Sequence, residues 1–184
     1  NGKPYLDRIE FVIVADPTTA NLTFQSGSAQ AMGETDIKDS YELQQKGFSV
    51  YAPTDYITVW CPDTVNPDSP FANKKVREAM DYAIDSASIA KAVGFGLWEG
   101  PKQLASSKMV AYVDGLGRKY DPAKAKQLLT EAGYPNGFKT SIWARTVSPQ
   151  AALQAAAGYL KAVGIDATLE PVDTGRYVTL STGG

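Results

Sequence analysis

At 184 residues, with 18 Lys plus Arg against 20 Asp plus Glu, the chain has a formal net charge of −2 and its charges are scattered. That distribution excludes the basic stripe by which a protein neutralises nucleic-acid phosphates or an acidic membrane surface. Histidine is absent and Cys61 is the single cysteine, which removes a Ser-His-Asp triad, a Cys-His pair, a Cys/His zinc site and an internal disulfide.

A chain of this size buries roughly 70% of its extended-chain surface, enough for a real core. No apolar run approaches the ~20 residues a membrane span needs, and no targeting signal is visible at the N-terminus. The chain opens Asn1-Gly-Lys-Pro-Tyr-Leu-Asp7 and closes Ser181-Thr-Gly-Gly184 without an initiating methionine, which reads as an interior piece of something longer. Cys61 reads as an ordinary buried residue.

Arg8 to Val14 is a mostly apolar run dense in β-branched residues, and it predicts a well-covered strand ended by Asp16-Pro17. Thr18 to Gln25 predicts a short helix with Leu22 and Phe24 inward and Gly27 as its stop, and Asp36 to Lys46 a second helix stopped by Gly47. Phe48 to Ala52 and Tyr56 to Cys61 read as strands separated by Pro53-Thr-Asp55.

The helix from Asn73 to Ile84 is the most sharply patterned. Val76, Ala79, Met80, Ala83 and Ile84 form one apolar stripe, with Lys74, Lys75, Glu78 and Asp81 opposite. Asp85 can cap a following helix, Ser86 to Val93, that closes at Gly94. Periodicity then fails from Gly94 to Gly117, predicting a long irregular connection of the kind that is usually functional or covers another surface.

Asp121, Pro122 and Gly133 bracket a helix whose inner residues are Ala125, Leu128, Leu129 and Ala132. Phe138 to Ala144 is a predicted strand. Ser148-Pro149 starts a helix to Val163 with Leu153, Ala156, Ala157 and Leu160 inside, Ile165 to Val172 is another strand, and Gly175 to Leu180 opens a last helix. This alternation predicts an α/β (α+β) domain, a mixed sheet with helices packed on it, in which the last strand-helix-strand unit pairs in parallel. No repeat or linker divides the chain, so residues 1–184 read as one domain.

Gly94-Phe-Gly-Leu-Trp-Glu-Gly100 superficially resembles a phosphate-cradling loop, but a helix precedes it where that chemistry needs a strand. Glu78, Asp81 and Asp85 lie at helical spacing beside Lys74, Lys75 and Arg77, and read as solvated helix charges. Asn21-Leu-Thr23 fits a glycan acceptor pattern by chance-level criteria. A carboxylate-only metal site or acid pair survives the exclusions, but no cluster of acids suggests either, so no cofactor, metal or catalytic residue is expected.

Aromatic residues at strand ends are more informative. Trp60 precedes Cys61-Pro-Asp63 and Trp143 precedes Ala144-Arg145-Thr146. Ligands collect beyond the carboxyl ends of strands in open sheets with parallel strands. Tryptophan with Asp63 and Arg145 would suit a zwitterionic or peptide-like ligand. The plainer reading is of half-buried strand ends with surface charges beside them.

Ser69-Pro-Phe-Ala-Asn-Lys-Lys-Val-Arg-Glu-Ala-Met-Asp-Tyr-Ala-Ile-Asp85, followed by Tyr120-Asp-Pro-Ala-Lys-Ala-Lys-Gln-Leu-Leu-Thr-Glu-Ala-Gly-Tyr-Pro-Asn-Gly-Phe138, resembles family 5 of the extracellular solute-binding proteins, which carry peptides, dipeptides or nickel to ATP-driven (ABC) importers. Tyr5-Leu-Asp-Arg-Ile9 resembles the family's entry into one lobe. The resemblance implies a piece of one lobe of a two-lobed clamp, a periplasmic-binding-protein type II-like fold, that closes by hinge motion on its ligand and is then recognised by a permease.

It also implies an exported, monomeric parent, periplasmic or lipid-anchored outside a Gram-positive cell. Asp63 and the loop from Trp143 to Ser148 fall where relatives line the cleft, with Thr174 near another such position. Two departures stand out. Trp60-Cys-Pro-Asp-Thr-Val-Asn66 lacks the family's asparagine soon after the strand, and the aromatic and aspartate segment that grips a peptide amino terminus would come just after Gly184. A small carboxylate-using α/β enzyme and a protein-interaction module are the alternatives; the first requires convergent acids in a pocket and the second an exposed apolar patch.

Overall fold

The computed structural model describes residues 2–3, 5–33, 35–51, 59–100, 102–146 and 148–182. The chain divides into two compact units, Asn1–Val50 and Tyr51–Gly184.

In the first unit, helix α1 (Pro17–Gln25) is started by Asp16, whose Oδ1 accepts from the Thr19 amide at 2.8 Å. It ends at Ser26, and Gly27 takes φ +82°. Helix α2 (Ile37–Gln45) is capped by Asp36 and buries Leu43. The rings of Phe24 and Phe48 pack with centroids 5.0 Å apart, and Lys46 Nζ donates to Gln25 Oε1 at 2.7 Å.

Two expectations fail here. Arg8 to Val14 forms no ladder, and Phe11 and Ile13 are 87% and 96% exposed. Its pattern is that of a strand, but a strand is stable only against a partner, and among the described residues none is offered. Leu22 points outward rather than in, because Phe24 alone meets the Phe48 ring.

Phe48 to Tyr51 likewise carries no ladder, and the rest of the two strands expected there falls largely outside the described residues; Val59 to Cys61 is unpaired. Cys61 is exposed, not buried: among the described residues, the stretch leading into Pro62 pairs with no strand.

The second unit is built on α3 (Lys74–Ala83), α4 (Ser86–Val93), α5 (Pro122–Glu131), β1 (Phe138–Arg145), α6 (Gln150–Ala162), β2 (Ile165–Val172) and α7 (Thr174–Thr182). Asn73 starts α3 by accepting from the Lys75 amide at 2.9 Å, Asp85 caps α4 through Ser88, and Asp121 caps α5 through Lys124. The predicted stripe is the core: Val76, Ala79, Ala83, Ala125, Leu128, Leu129, Leu160, Val163 and Ile165 form one buried cluster. Each fully buried Val, Leu or Ile contributes about 1.5–3 kcal/mol of transfer free energy. Three buried alanines let α3 and α5 approach closely, and Lys75 Nζ ties the pair to Glu131 at 2.9 Å.

β1 and β2 pair in parallel from Phe138↔Ile165 to Arg145↔Val172, with α6 as the crossover, and they are the whole sheet among the described residues. Phe138, Thr140, Ile142 and Ala144 turn toward the core side while Lys139, Ser141 and Trp143 are exposed. The connection from Gly94 to Asp121 contains no helix or strand among its described residues. It is nevertheless braced. The Gln103 amide donates to Val113 O at 2.7 Å and accepts from Val113 N at 3.1 Å, while Arg118 reaches Asp81 at 2.7 Å and Glu78 at 3.0 Å.

Candidate functional site

Parallel strands bring their carboxyl ends to one edge, so β1 and β2 deliver Trp143, Arg145, Glu170 and the start of α7 to the same end of the sheet. β1 runs two residues beyond Trp143, so the indole stands within the strand and Arg145 is its last member. Trp143 is 48% exposed, and its Nε1 donates to Glu170 Oε2 at 3.0 Å across the ladder. Trp143 and Glu170 are register partners, which is why the contact forms.

Arg145 is half-buried, with its guanidinium carbon 5.6 Å from the centroid of the Tyr177 ring on α7. After β1 the chain turns back: Ser148 N donates to Arg145 O at 2.8 Å, and the Gln150 side chain donates to Arg145 O and Ser148 O, both at 3.1 Å. Ser148 is thus fixed by its backbone. Asp173 caps α7 by accepting from Arg176 N at 2.9 Å, leaving Thr174 exposed at the first helical position.

Four of the sequence-predicted residues, Trp143, Arg145, Ser148 and Thr174, therefore gather at this sheet end. Trp60 and Asp63 are placed differently. Trp60 is half-buried against the core cluster. Asp63 Oδ1 accepts from Val65 N and Asn66 N, both at 3.2 Å, and its carbonyl accepts from Ser69 Oγ at 2.7 Å, so it organises its own turn. Among the described residues, no hydrogen bond, ion pair or ring contact joins Trp60 or Asp63 to the sheet end.

Sequence reasoning passed over Glu170, Asp173 and Tyr177. The first was available: once Phe138 is set against Ile165, counting along both strands puts Glu170 beside Trp143.

The acids noted along α3 have other duties. Glu78 and Asp81 hold Arg118, whose own pKa is raised above its ordinary value chiefly by the Asp81 hydrogen bond. Asp85 is held below the usual carboxylate range by the Ser88 hydroxyl and amide. Gly94 closes α4 by donating to Ala90 O at 2.8 Å, so the glycine-rich segment meets a helix carboxyl end, the wrong polarity for phosphate.

An open hollow of about 360 Å³ lies within the braced connection, between Lys102, Gln103, Tyr112, Asp114 and Arg118, and shares no residue with the sheet end. Among the described residues there is no cluster of three or more metal-ligating side chains, and no helix is long and apolar enough to cross a membrane.

A parallel strand pair joined by a crossover helix and flanked by helices is an α/β arrangement, and solved periplasmic binding proteins share it. The periplasmic binding protein DppA of Helicobacter pylori, in complex with the peptide STSA, superposes with a TM-score of 0.70 at 25% identity, over 90% of this chain and 33% of that one. Heme-binding protein A of Haemophilus influenzae is 36% identical over 156 residues, covering 79% of this chain and 27% of that protein. The glutathione-binding protein GsiB of Escherichia coli K12 is 34% identical over 179 residues, covering 95% of this chain and 35% of that protein.

Residues 1–184 match the family described as bacterial extracellular solute-binding proteins, family 5 middle, and the chain belongs to that family. It spans between a quarter and two fifths of the length of these relatives, 27% and 35% for the two curated proteins.

Proposed function

We propose that this chain supplies one side of the ligand clamp of a solute-binding protein that hands a small peptide or related solute to an ABC importer. The observation that carries the reading is the sheet end, where a half-exposed indole and a guanidinium stand on adjacent outward positions of β1. Such a pair suits stacking on an apolar side chain and a charge-assisted hydrogen bond to a carboxylate. No bond is made or broken, so the part has no catalytic residue.

Trp143, Arg145, Ser148 and Thr174 are the proposed ligand contacts at the sheet end. Trp60 and Asp63 contribute from the loop before Pro70, Asp63 through its second oxygen. The protein acts outside the cytoplasm, free in the periplasm or held by a lipid anchor, as a monomer that meets a membrane permease. The relatives named for heme, glutathione and peptide support the class of cargo without fixing the solute.

One wall of a cleft excludes little water and supplies part of the contacts, while the rigid-body cost of capture remains. Calorimetric titration of residues 1–184 with mixed di- to pentapeptides should therefore give no submicromolar binding, whereas the complete protein carrying these residues binds a subset. Tight binding by 1–184 alone would contradict the shared-cleft mechanism. The reading of 1–184 as a single lobe predicts one calorimetric unfolding transition; two would assign Asn1–Val50 to a separate part of the clamp.

A further inference from the structure

The connection between α4 and α5 is longer than the joining of two packed helices requires, and its ties run around the hollow rather than across it. Ser107 Oγ donates to Glu99 Oε2 at 2.9 Å, and the Gln103 amide holds Val113 by both of its backbone groups. Gly117, at φ +102°, lies so near the Lys102 carbonyl that a β-carbon there would stand 2.2 Å from its oxygen. Arg118 then fastens the same stretch to α3. At about 360 Å³ the hollow falls near the lower end of the roughly 300–1,000 Å³ of small-molecule pockets.

These ties leave three lining side chains untouched. Among the described residues, the side chains of Tyr112, Asp114 and Lys119 make no hydrogen bond or ion pair, and Glu99 engages only Oε2. The charges balance: Lys102 and Lys119 stand against Glu99 and Asp114, while Arg118 is met by Asp81 and Glu78 of α3. A balanced lining presents no net field to a phosphate or other polyanion, and exposed ion pairs contribute little.

What the lining does present is carboxylate acceptors, an ammonium donor and Tyr112, its one aromatic residue. Hydroxyl groups donate and accept at once, so they satisfy both kinds of partner, and the apolar face of a sugar ring packs against an aromatic side chain. From this we infer that the connection holds a second binding site, for a neutral mono- or disaccharide: Asp114 and Glu99 accept from its hydroxyls, Lys119 donates to them, and Tyr112 packs against a ring face. The site shares no residue with the sheet end and does not depend on the clamp reading.

The test uses the complete protein carrying these residues, titrated calorimetrically with maltose, with N,N′-diacetylchitobiose and with inorganic phosphate. At least one disaccharide should bind, weakly because the hollow is open, and phosphate should not. Asp114→Ala should weaken sugar binding roughly tenfold, the effect of losing a charge-assisted hydrogen bond, and Tyr112→Leu roughly three- to tenfold. Both variants should unfold at the wild-type temperature, since neither side chain holds the connection together, and the dipeptide Met-Leu should not displace the sugar.

Preference for maltose would make the ligand a free sugar, and preference for the chitobiose an acetylated amino sugar of the kind found in wall polymers; either supports the site. Failure of both sugars to bind at tens of millimolar overturns the inference and leaves the clamp intact. So does phosphate binding in their place, or sugar binding that survives both substitutions.

Discussion

Gly137 and Gly164 touch so closely that a β-carbon on Gly137 would lie 1.9 Å from the Gly164 carbonyl oxygen, the same oxygen to which Phe138 N donates at 3.2 Å to open the β1–β2 ladder. Gly137 also sits at φ +72°. The two strands can start side by side because Gly137 has no side chain, whereas a β-carbon on Gly164 would come no closer than 3.3 Å to Gly137 Cα.

Gly137→Ala should consequently cost on the order of 3 kcal/mol or more, combining a backbone clash with left-handed strain. Gly133, at φ +94° with nothing near its missing β-carbon, isolates the strain alone, and its alanine variant should cost about 1 kcal/mol. Urea unfolding of both variants checks the difference; equal losses would mean the close approach carries no energy.

Arg118 anchors the braced connection to α3. Arg118→Met should destabilise the protein by about 1 kcal/mol, a small value because the guanidinium is more than a third exposed and solvent screens its ion pairs. The sharper readout is hydrogen exchange, which should rise between Lys102 and Leu116 and leave α5 protected. The stability difference should shrink in 1 M salt.

The acid limb of stability follows from Asp85 and Glu131. Glu131 is held below its ordinary 4.5 by Lys75 and Gln127, and Asp85 below its ordinary 3.8 by Ser88. Folded-state pKa values that are depressed give stability that is complete above the ordinary values and is lost as pH falls through the lower, folded ones. Stability should therefore be flat above pH 4.5 for these two groups and decline below it. Asp85→Asn, which keeps a capping side chain, should flatten part of that decline in pH-dependent urea titrations.

Arg145→Met should leave the unfolding free energy within about 0.5 kcal/mol of wild type, as expected for a partly exposed strand end. In the complete protein it should weaken binding of Met-Leu on the order of tenfold, and a C-terminally amidated dipeptide should be much less affected. A variant that loses both peptides equally would make Arg145 a structural residue of the Tyr177 contact.

Cys61 is exposed. It should react with a thiol reagent in the native state at close to the rate seen in denaturant. Slow, unfolding-limited labelling would return it to the interior.

Helix boundaries in the second unit were legible because each has a local signature: Asn73, Asp85 and Asp121 are capping residues, Pro122 fits the first turn, and the stripe from Val76 to Ala83 has a 3.6-residue period. β1 and β2 were legible for a related reason, since short loops bind them to α6. The run from Arg8 to Val14 was misread because apolar β-branched residues report what a segment prefers against a partner, and pairing depends on what lies opposite.

The site followed the same division. Trp143 and Arg145 stand out by type and by place at a strand end, whereas Tyr177 required the approach of α7 to β1, which no local pattern encodes.

The buried cluster of the second unit, from Val76 to Ile165, includes none of Trp143, Arg145 and Glu170. Side chains at positions 143, 145 and 170 can accordingly be exchanged at small cost to folding. Selection can thus retune the cargo by altering a few protruding groups while the frame beneath them goes on unchanged.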